Sequence, residues 1–431
     1  MLKSIHIESF KSYLKQELPL APLTLMIGAN ASGKSNALEA FRFLSWLSQG
    51  QKLSVLKHRV DDSEEILRGQ VMNLGYLGHT SIKLGCDTDD GNWDRFEVEL
   101  SIRENELHIS QESITSSSEN FPLYRVEQAA SGLSSDIRVA YNNFVRGGKK
   151  PQVTCTDQIA VMCQLASSAL FESGHKKAQL EIPKATEKFQ ELLSNTLFLD
   201  PVPSLMRGDS YPERKLRGDC SNLSGVLHML WQDDDARPTI IEFIKSLPEQ
   251  DVTNIEFFAD RRGRYSLELV ESFGSIERKW PVEVLSDGTL RVLAIAAALL
   301  SASEGSTVVI EEVDNGIHPS RARKLLKTMR DQATQRGIHL LLSTHNPALM
   351  DAIPDEALAD VVFCYRDPKD GDSRLLRLSD LPDYSALVSQ GPLGELITNG
   401  IVDRFVKSPV TPEEKKTKAL NWLSRMQGAD Q

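Results

Sequence analysis

The stretch LTLMIGANASGKS, residues 23–35, is a short apolar run that ends in Gly28 and is followed by four residues and then Gly33, Lys34 and Ser35. This spacing suits a loop that cradles a triphosphate. The two glycines let the backbone bend so that successive N–H groups face one anion, Lys34 adds a cation, and the Ser35 hydroxyl is placed to ligate a metal ion. A glycine turn between two core elements is the plainer alternative. The flanks argue against it, because a phosphate loop needs a strand before it and a helix after it. Residues 23–27 are apolar, and Ala37, Leu38, Phe41, Leu44 and Leu47 recur at helical spacing before Gly50.

At 431 residues the chain is long for one compact domain, so an enlarged domain or two lobes is expected. A formal charge of −11 excludes a polycation wrapped on DNA, and any nucleic-acid contact must come from local clusters at 146–150, 207–217 and 261–264. Taken singly, each of these clusters fits a solvated surface. The start, MLKSIHIESF, has no apolar core behind a basic end, and the longest apolar run, within 290–300, is too short for a bilayer. A cytoplasmic protein without membrane partners is expected. Five cysteines with no CxxC pair argue against a disulfide framework or a zinc site.

Residues 2–9 alternate as a strand and 16–20 can pair back on it, which places a hairpin beside the strand at 23–27. Strands are expected at 81–86, 96–102 and 107–114, forming an antiparallel sheet, and a loop is expected at 115–135. From 156 to 246 the pattern turns helical, with candidates at 157–171, 184–197, 223–231 and 237–246. A hairpin follows around Arg261–Arg264.

The last third holds a second concentration of chemistry. Leu285-Ser286-Asp287-Gly288-Thr289 precedes a helix at 290–301 that is apolar almost all round and therefore buried. At its start, free N–H groups favour an anion, so Ser286 and Gly288 are candidate phosphate contacts; a simple helix cap is the alternative. The apolar strand 307–310 ends in Glu311-Glu312. There the first carboxylate is suited to orient magnesium and the second to polarise water. A helix from Pro319 to the Gly337 stop, a buried strand at 338–342 and then His345 complete a strand–helix–strand alternation that implies parallel pairing. Edge strands are expected at 361–365 and 375–378, joined through Asp370-Gly371. A capped helix from Thr411 carries Leu420, Leu423 and Met426.

Together these elements resemble the ABC-type ATPases, in the soluble branch that holds SMC, RecF and OLD-like proteins. The resemblance rests on IESFKSY near the start, GANASGKSN, LSDGTLR, VVIEEVDNGIHP and STHNP, and it covers roughly residues 1–50 and 280–350. It implies an α/β P-loop fold of ABC type: a mixed sheet with an antiparallel β lobe and a helical insertion. The expected division is an N-terminal ATPase lobe at 1–150, a helical insertion or lid at 151–250, and a C-terminal ATPase lobe at 251–431.

The resemblance also implies roles. Gly28, Asn30, Ser32, Gly33, Lys34, Ser35 and Asn36 would surround ATP, with Ser35 and Glu311 on Mg2+, Glu312 as catalytic base and His345 as the switch histidine. Ser286 and Gly288 would act in trans, closing the pocket of a second copy in a head-to-tail homodimer that can assemble further, with Asp314 and Asn315 along the interface. Lys11 would approach the nucleotide. A glutamine should ligate the metal between the lobes, and Gln158 is the first choice beside Gln152 and Gln164.

Two departures matter. Glu311 stands where the family usually has Asp, which leaves open slow hydrolysis or a nucleotide-regulated scaffold. There are no heptad arms, and Asp370-Gly371-Asp372 sits in a turn without the Glu a Toprim nuclease needs. A stand-alone ATPase is expected, working with a separately encoded effector such as a nuclease, or on DNA, in genome maintenance or anti-phage defence. A transporter ATPase subunit fits less well, because its signature reads closer to LSGGQ.

Overall fold

The computed structural model describes residues 1–57, 66–89, 91–131, 134–245, 251–314 and 319–407. Its centre is a six-stranded sheet in the order Leu197–Leu199, Thr307–Ile310, His339–Thr344, Leu23–Ile27, Val362–Arg366 and Ser373–Arg377. The first five strands run parallel and the last is antiparallel. Every residue of Leu23–Ile27, Thr307–Ile310 and His339–Thr344 is buried, as strands covered on both faces must be.

The two faces feed different cores. Leu25, Ile27, Val308, Ile310, Leu340 and Leu342 point into a core with the helices Leu223–Trp231, Ala236–Ile244, Asp287–Ser301 and Pro319–Arg336. Met26, Val309, Leu341 and Val362 point into a second core with the helix Lys34–Ser48 and an eight-stranded antiparallel sheet. That sheet begins with the hairpin Leu2–Phe10 and Tyr13–Pro19 and continues through Ser81–Thr88, Arg95–Arg103, Glu106–Thr115, Tyr124–Gln128, Asp136–Tyr141 and Gln152–Thr156. A three-stranded sheet, Val252–Ala259, Tyr265–Phe273 and Ile276–Pro281, extends the expected hairpin by one strand.

The expected α/β architecture is present, with four local differences. The N-terminal hairpin is paired into the antiparallel sheet rather than beside Leu23–Ile27, whose neighbours are His339–Thr344 and Val362–Arg366. The expected loop at 115–135 contains the strand Tyr124–Gln128, whose Tyr124 and Val126 are buried. The helix expected over 157–171 shrinks to Val161–Gln164. Gln164 turns its side chain back to the backbone of Thr156 and Ile159, and Glu112 takes the N–H groups of Val161 and Met162. The helix expected from 184 begins at Lys176 and carries Pro183 inside, because Ala178, Ile182, Phe189 and Leu193 bury one continuous face across it.

Residues 151–250 thus supply helices to both cores and one strand to the central sheet. Asn315 and the helix expected from Thr411 lie outside the described residues. No helix among the described residues is long and apolar enough to cross a membrane.

Candidate functional site

Register aligns the chemistry. Ile310 pairs with Leu342 and Thr344 with Ile27, so Gly28, Glu311 and His345 all leave the sheet at its carboxyl edge. Glu311 and His345 meet the loop that follows Gly28 in a cleft of about 410 Å³ lined by Ser12, Asn30, Ala31, Gly33, Lys34, Ser35, Asn36, Glu311, Glu312, Ser343, Thr344 and His345, with Arg68 and Arg366. Gly28 and the buried Ser32 shape the loop from behind without lining the cleft.

The loop is seated by its neighbours. A Cβ on Gly28 would stand 2.1 Å from the Cys364 carbonyl oxygen, and one on Gly33 would stand 2.4 Å from Ser373 Oγ, at φ values of +149° and +119°. Only glycine fits both the space and the backbone there. Tyr13 donates its hydroxyl to the Gly33 carbonyl at 3.0 Å, and Ser373 Oγ donates to the Ser32 carbonyl at 2.6 Å. Ser373 also reaches Ser12 Oγ at 2.8 Å, and Asn36 Nδ2 donates to the same Ser12 oxygen at 2.9 Å. Ser373 gives no signal in the sequence, and Tyr13 enters only as the last residue of IESFKSY, since their roles depend on strands that are distant in the chain.

Lys34 Nζ donates to the carbonyls of Gly28 at 2.6 Å and Ala29 at 3.0 Å, and burial holds its pKa below the ordinary lysine value. Ser35 Oγ donates to Glu311 Oε1, joining the phosphate loop to the acidic strand end. Glu311 therefore reaches Ser35 despite standing where the family has the shorter Asp. A hydroxyl and a carboxylate in contact are hard oxygen donors of the kind Mg2+ takes, so this pair fits the ion. Glu312 adopts φ +49°, and its N–H donates to Ser343 Oγ at 3.1 Å; its exposed side chain and that of His345 line the cleft. Thr344 Oγ1 donates to Asp314 at 2.5 Å, tying the strand end before His345 to the turn after Glu312.

Six expected residues lie elsewhere. Gln158 does not line the cleft: its Nε2 donates to the Leu107 carbonyl at 3.3 Å beside His108 and Asp157, at the far antiparallel strands. Gln164 is turned to Thr156, and Gln152 pairs with Ala140, so none of the three glutamines reaches Ser35 or Glu311. Lys11 lines the adjoining cleft and pairs with the buried Glu39, which also takes Arg68 through Nε and Nη2 at 3.1 Å each. Ser286 and Gly288 are absent from the cleft lining. Ser286 caps the helix Asp287–Ser301 by accepting from Thr289 N at 3.1 Å, and Arg207 pairs with Asp287 at 2.5 Å.

Comparison with known proteins agrees with this geometry. The model of the AAA ATPase domain matches residues 1–130, and that of the AAA domain described as a putative AbiEii toxin, type IV TA system, matches 222–351. An ATP/GTP phosphatase of Helicobacter pylori is 20% identical over 377 residues, covering 85% of this chain and 90% of its own. The DNA replication and repair protein RecF of Acaryochloris marina is 38% identical over 66 residues, 15% of this chain and 17% of its own. A solved SMC head bound to the C-winged helix domain of ScpA aligns at 14% identity over 87% of this chain and 96% of its own, with a TM-score of 0.47. Fold, cleft and family matches define a P-loop ATPase whose site is assembled from two distant segments. More narrowly, the two family matches both fall on AAA-type ATPase domains, and the chain is similar in part to RecF.

Proposed function

We propose that this protein is an ATP-hydrolysing switch: two copies close head to tail around ATP and Mg2+, and the closed form controls DNA or a separately encoded effector such as a nuclease. The observation that carries this reading is the contact of Ser35 with Glu311, in a cleft that Ser286 and Gly288 of the signature stretch LSDGTLR in the same chain do not line. This arrangement supports a site of which one half is assembled within a chain and the other half is presented elsewhere on it.

In this reading Lys34 and the loop N–H groups hold phosphate, Ser35 and Glu311 hold the ion, Glu312 accepts a proton from water, and His345 orients toward the same phosphate. Mg2+ would neutralise charge developing on the phosphates. Ser286 and Gly288 of a second copy would supply N–H groups from a helix start. A role in genome maintenance or anti-phage defence draws support from the RecF and AbiEii-type matches, and the reading is of a cytoplasmic protein with no membrane partner.

Light scattering of a Glu312→Gln variant tests the assembly. The expected result is a mass that doubles with ATP; an unchanged mass removes the composite site. Phosphate release by the wild type above a Lys34→Ala background tests turnover, and release no faster than that background would leave a nucleotide-regulated scaffold.

A further inference from the structure

We propose that Arg366 is a nucleotide-binding residue that holds the phosphate nearest the nucleoside. This rests on the reading of the cleft as an ATP site. Arg366 ends the strand Val362–Arg366, which lies parallel to the phosphate-loop strand through Val362–Met26 and Phe363–Ile27. It therefore leaves the sheet at the same carboxyl edge as Gly28.

The cations around the cleft differ in what they hold. Lys34 is bonded to the carbonyls of Gly28 and Ala29, whereas Lys11 and Arg68 are both held by the buried Glu39. Arg374, on the adjacent strand, faces Asp372 at 3.1 Å, with Asp367 and Asp370 within 3.9 Å. Arg366 differs from these: among the described residues its guanidinium donates from Nη1 to Ser373 Oγ at 3.4 Å and makes no ion pair with a carboxylate. An exposed guanidinium with no anion, at the rim of an anion-shaped cleft, is a planar fork suited to phosphate oxygens.

Position narrows the assignment further. Arg366 lines the 410 Å³ cleft and also an adjoining one of about 580 Å³ that holds Lys11, Met72, Tyr76 and Leu77. Met72 and Leu77 are 54% and 83% exposed, apolar surface of the sort a flat base covers. With the outer phosphates at Lys34 and Ser35, the residues common to both clefts, Ser12, Asn36, Arg68 and Arg366, border the inner phosphate, which ATP and ADP share. Of the two cations among them Arg68 is held by Glu39, which leaves Arg366 to meet that phosphate.

Equilibrium binding of fluorescent ATP and ADP with Mg2+ tests this on the full chain, using wild type, Lys34→Ala, Arg366→Ala and Arg366→Lys. The expected result for Arg366→Ala is a loss of about 10-fold for both nucleotides, the usual scale of a charge-assisted hydrogen bond. The nucleotide-free melting temperature should stay at the wild-type value, and Arg366→Lys should recover part of the lost affinity. Wild-type affinity for both nucleotides in Arg366→Ala overturns the proposal. A loss confined to ATP overturns the inner-phosphate assignment, and a Lys variant no better than Ala overturns the role of charge. If Arg366→Ala melts early, Arg366→Gln is judged by the same two affinities. Equal weak binding by wild type and Lys34→Ala would instead remove the reading of the cleft itself.

Discussion

The loop of residues 28–35 and the signature stretch 285–289 are both glycine-bearing segments at the start of a helix and both proposed anion sites, yet the chain treats them in opposite ways. Around the loop, Tyr13, Ser12, Ser373 and the Cys364 backbone come from three separate segments and fix Gly33, Ser32 and Gly28 from below. At the signature, Ser286 and Asp287 are exposed, and what holds them is slight: a local cap to Thr289 and an ion pair, open to solvent, to the distant Arg207. The difference lies in what each must do. A loop that receives phosphate within its own chain has to be shaped before the ligand arrives, since ordering it on binding would cost affinity. On the proposed reading, a surface that meets a second copy has to stay open.

The largest break in this contrast is expected on the loop side. Gly28→Ala places a methyl against the Cys364 carbonyl at a φ of +149°, so neither neighbour nor backbone can yield easily. Overpacking and strain together predict a loss of about 4 kcal/mol, read as a lower urea midpoint, along with the loss of nucleotide binding. Lys34→Ala, by contrast, should leave the fold intact and lower ATP affinity on the order of 100-fold.

A second effect comes from the core beneath the loop helix. Glu112 is buried, accepts from Tyr124 and from the N–H groups of Val161 and Met162, and burial raises its pKa to about 7. Because the folded pKa lies above the unfolded one, the folded state holds the proton more tightly. Its contribution is fully present below about 4.5 and is lost as pH rises through about 7, a difference of about 3 kcal/mol. Urea midpoints at pH 5, 6 and 7 should fall accordingly, and Glu112→Gln should flatten that slope; a slope unchanged in the variant would assign the effect to another group.

Much of the loop side was legible in sequence because its chemistry is contiguous: glycine spacing, the apolar strand and the helical repeat all fall within residues 23–50. The acidic strand end Glu311-Glu312 was legible for the same reason. What joins them was not. Ser373 and Tyr13 are an ordinary serine and tyrosine until Val362–Arg366 is laid beside Leu23–Ile27, and Arg366 joins the cleft only through that pairing. Gln158 shows the converse: a glutamine at the start of the expected helical stretch is turned to Leu107, His108 and Asp157, because Asp157 is fully buried and draws the local polar groups to itself. The short strand Tyr124–Gln128 was hidden by the serines on either side of it.

A third, smaller effect sharpens the loop side. Ser373→Ala removes the donor to the Ser32 carbonyl and leaves that oxygen buried against Cys364 Sγ, a weak donor at 3.3 Å. The expected cost is about 2 kcal/mol in the urea midpoint, with weaker ATP affinity, since the carbonyl orientation sets where the loop N–H groups point. Ser373→Thr keeps the hydroxyl and should retain more affinity than the alanine variant.

The smallest effect on the isolated chain is expected at the signature, and its smallness is the point. Arg207→Ala removes a pair to Asp287 and a bond to the Leu285 carbonyl at 3.0 Å, at a site open to solvent. Exposed ion pairs contribute about 0–1 kcal/mol, so the urea midpoint should barely move and the affinity of a single chain for ADP should not change. If Ser286 and Gly288 serve a second copy, however, a signature freed from Arg207 meets that copy in the wrong position. The variant should then lose the ATP-dependent doubling of mass expected of Glu312→Gln, when the two substitutions are combined. Two halves that respond in different assays, one in binding by a single chain and the other in association alone, are what a site divided between copies requires. If Arg207→Ala instead weakened ADP binding by a single chain, the signature would belong to the same chain's cleft and the division would be lost.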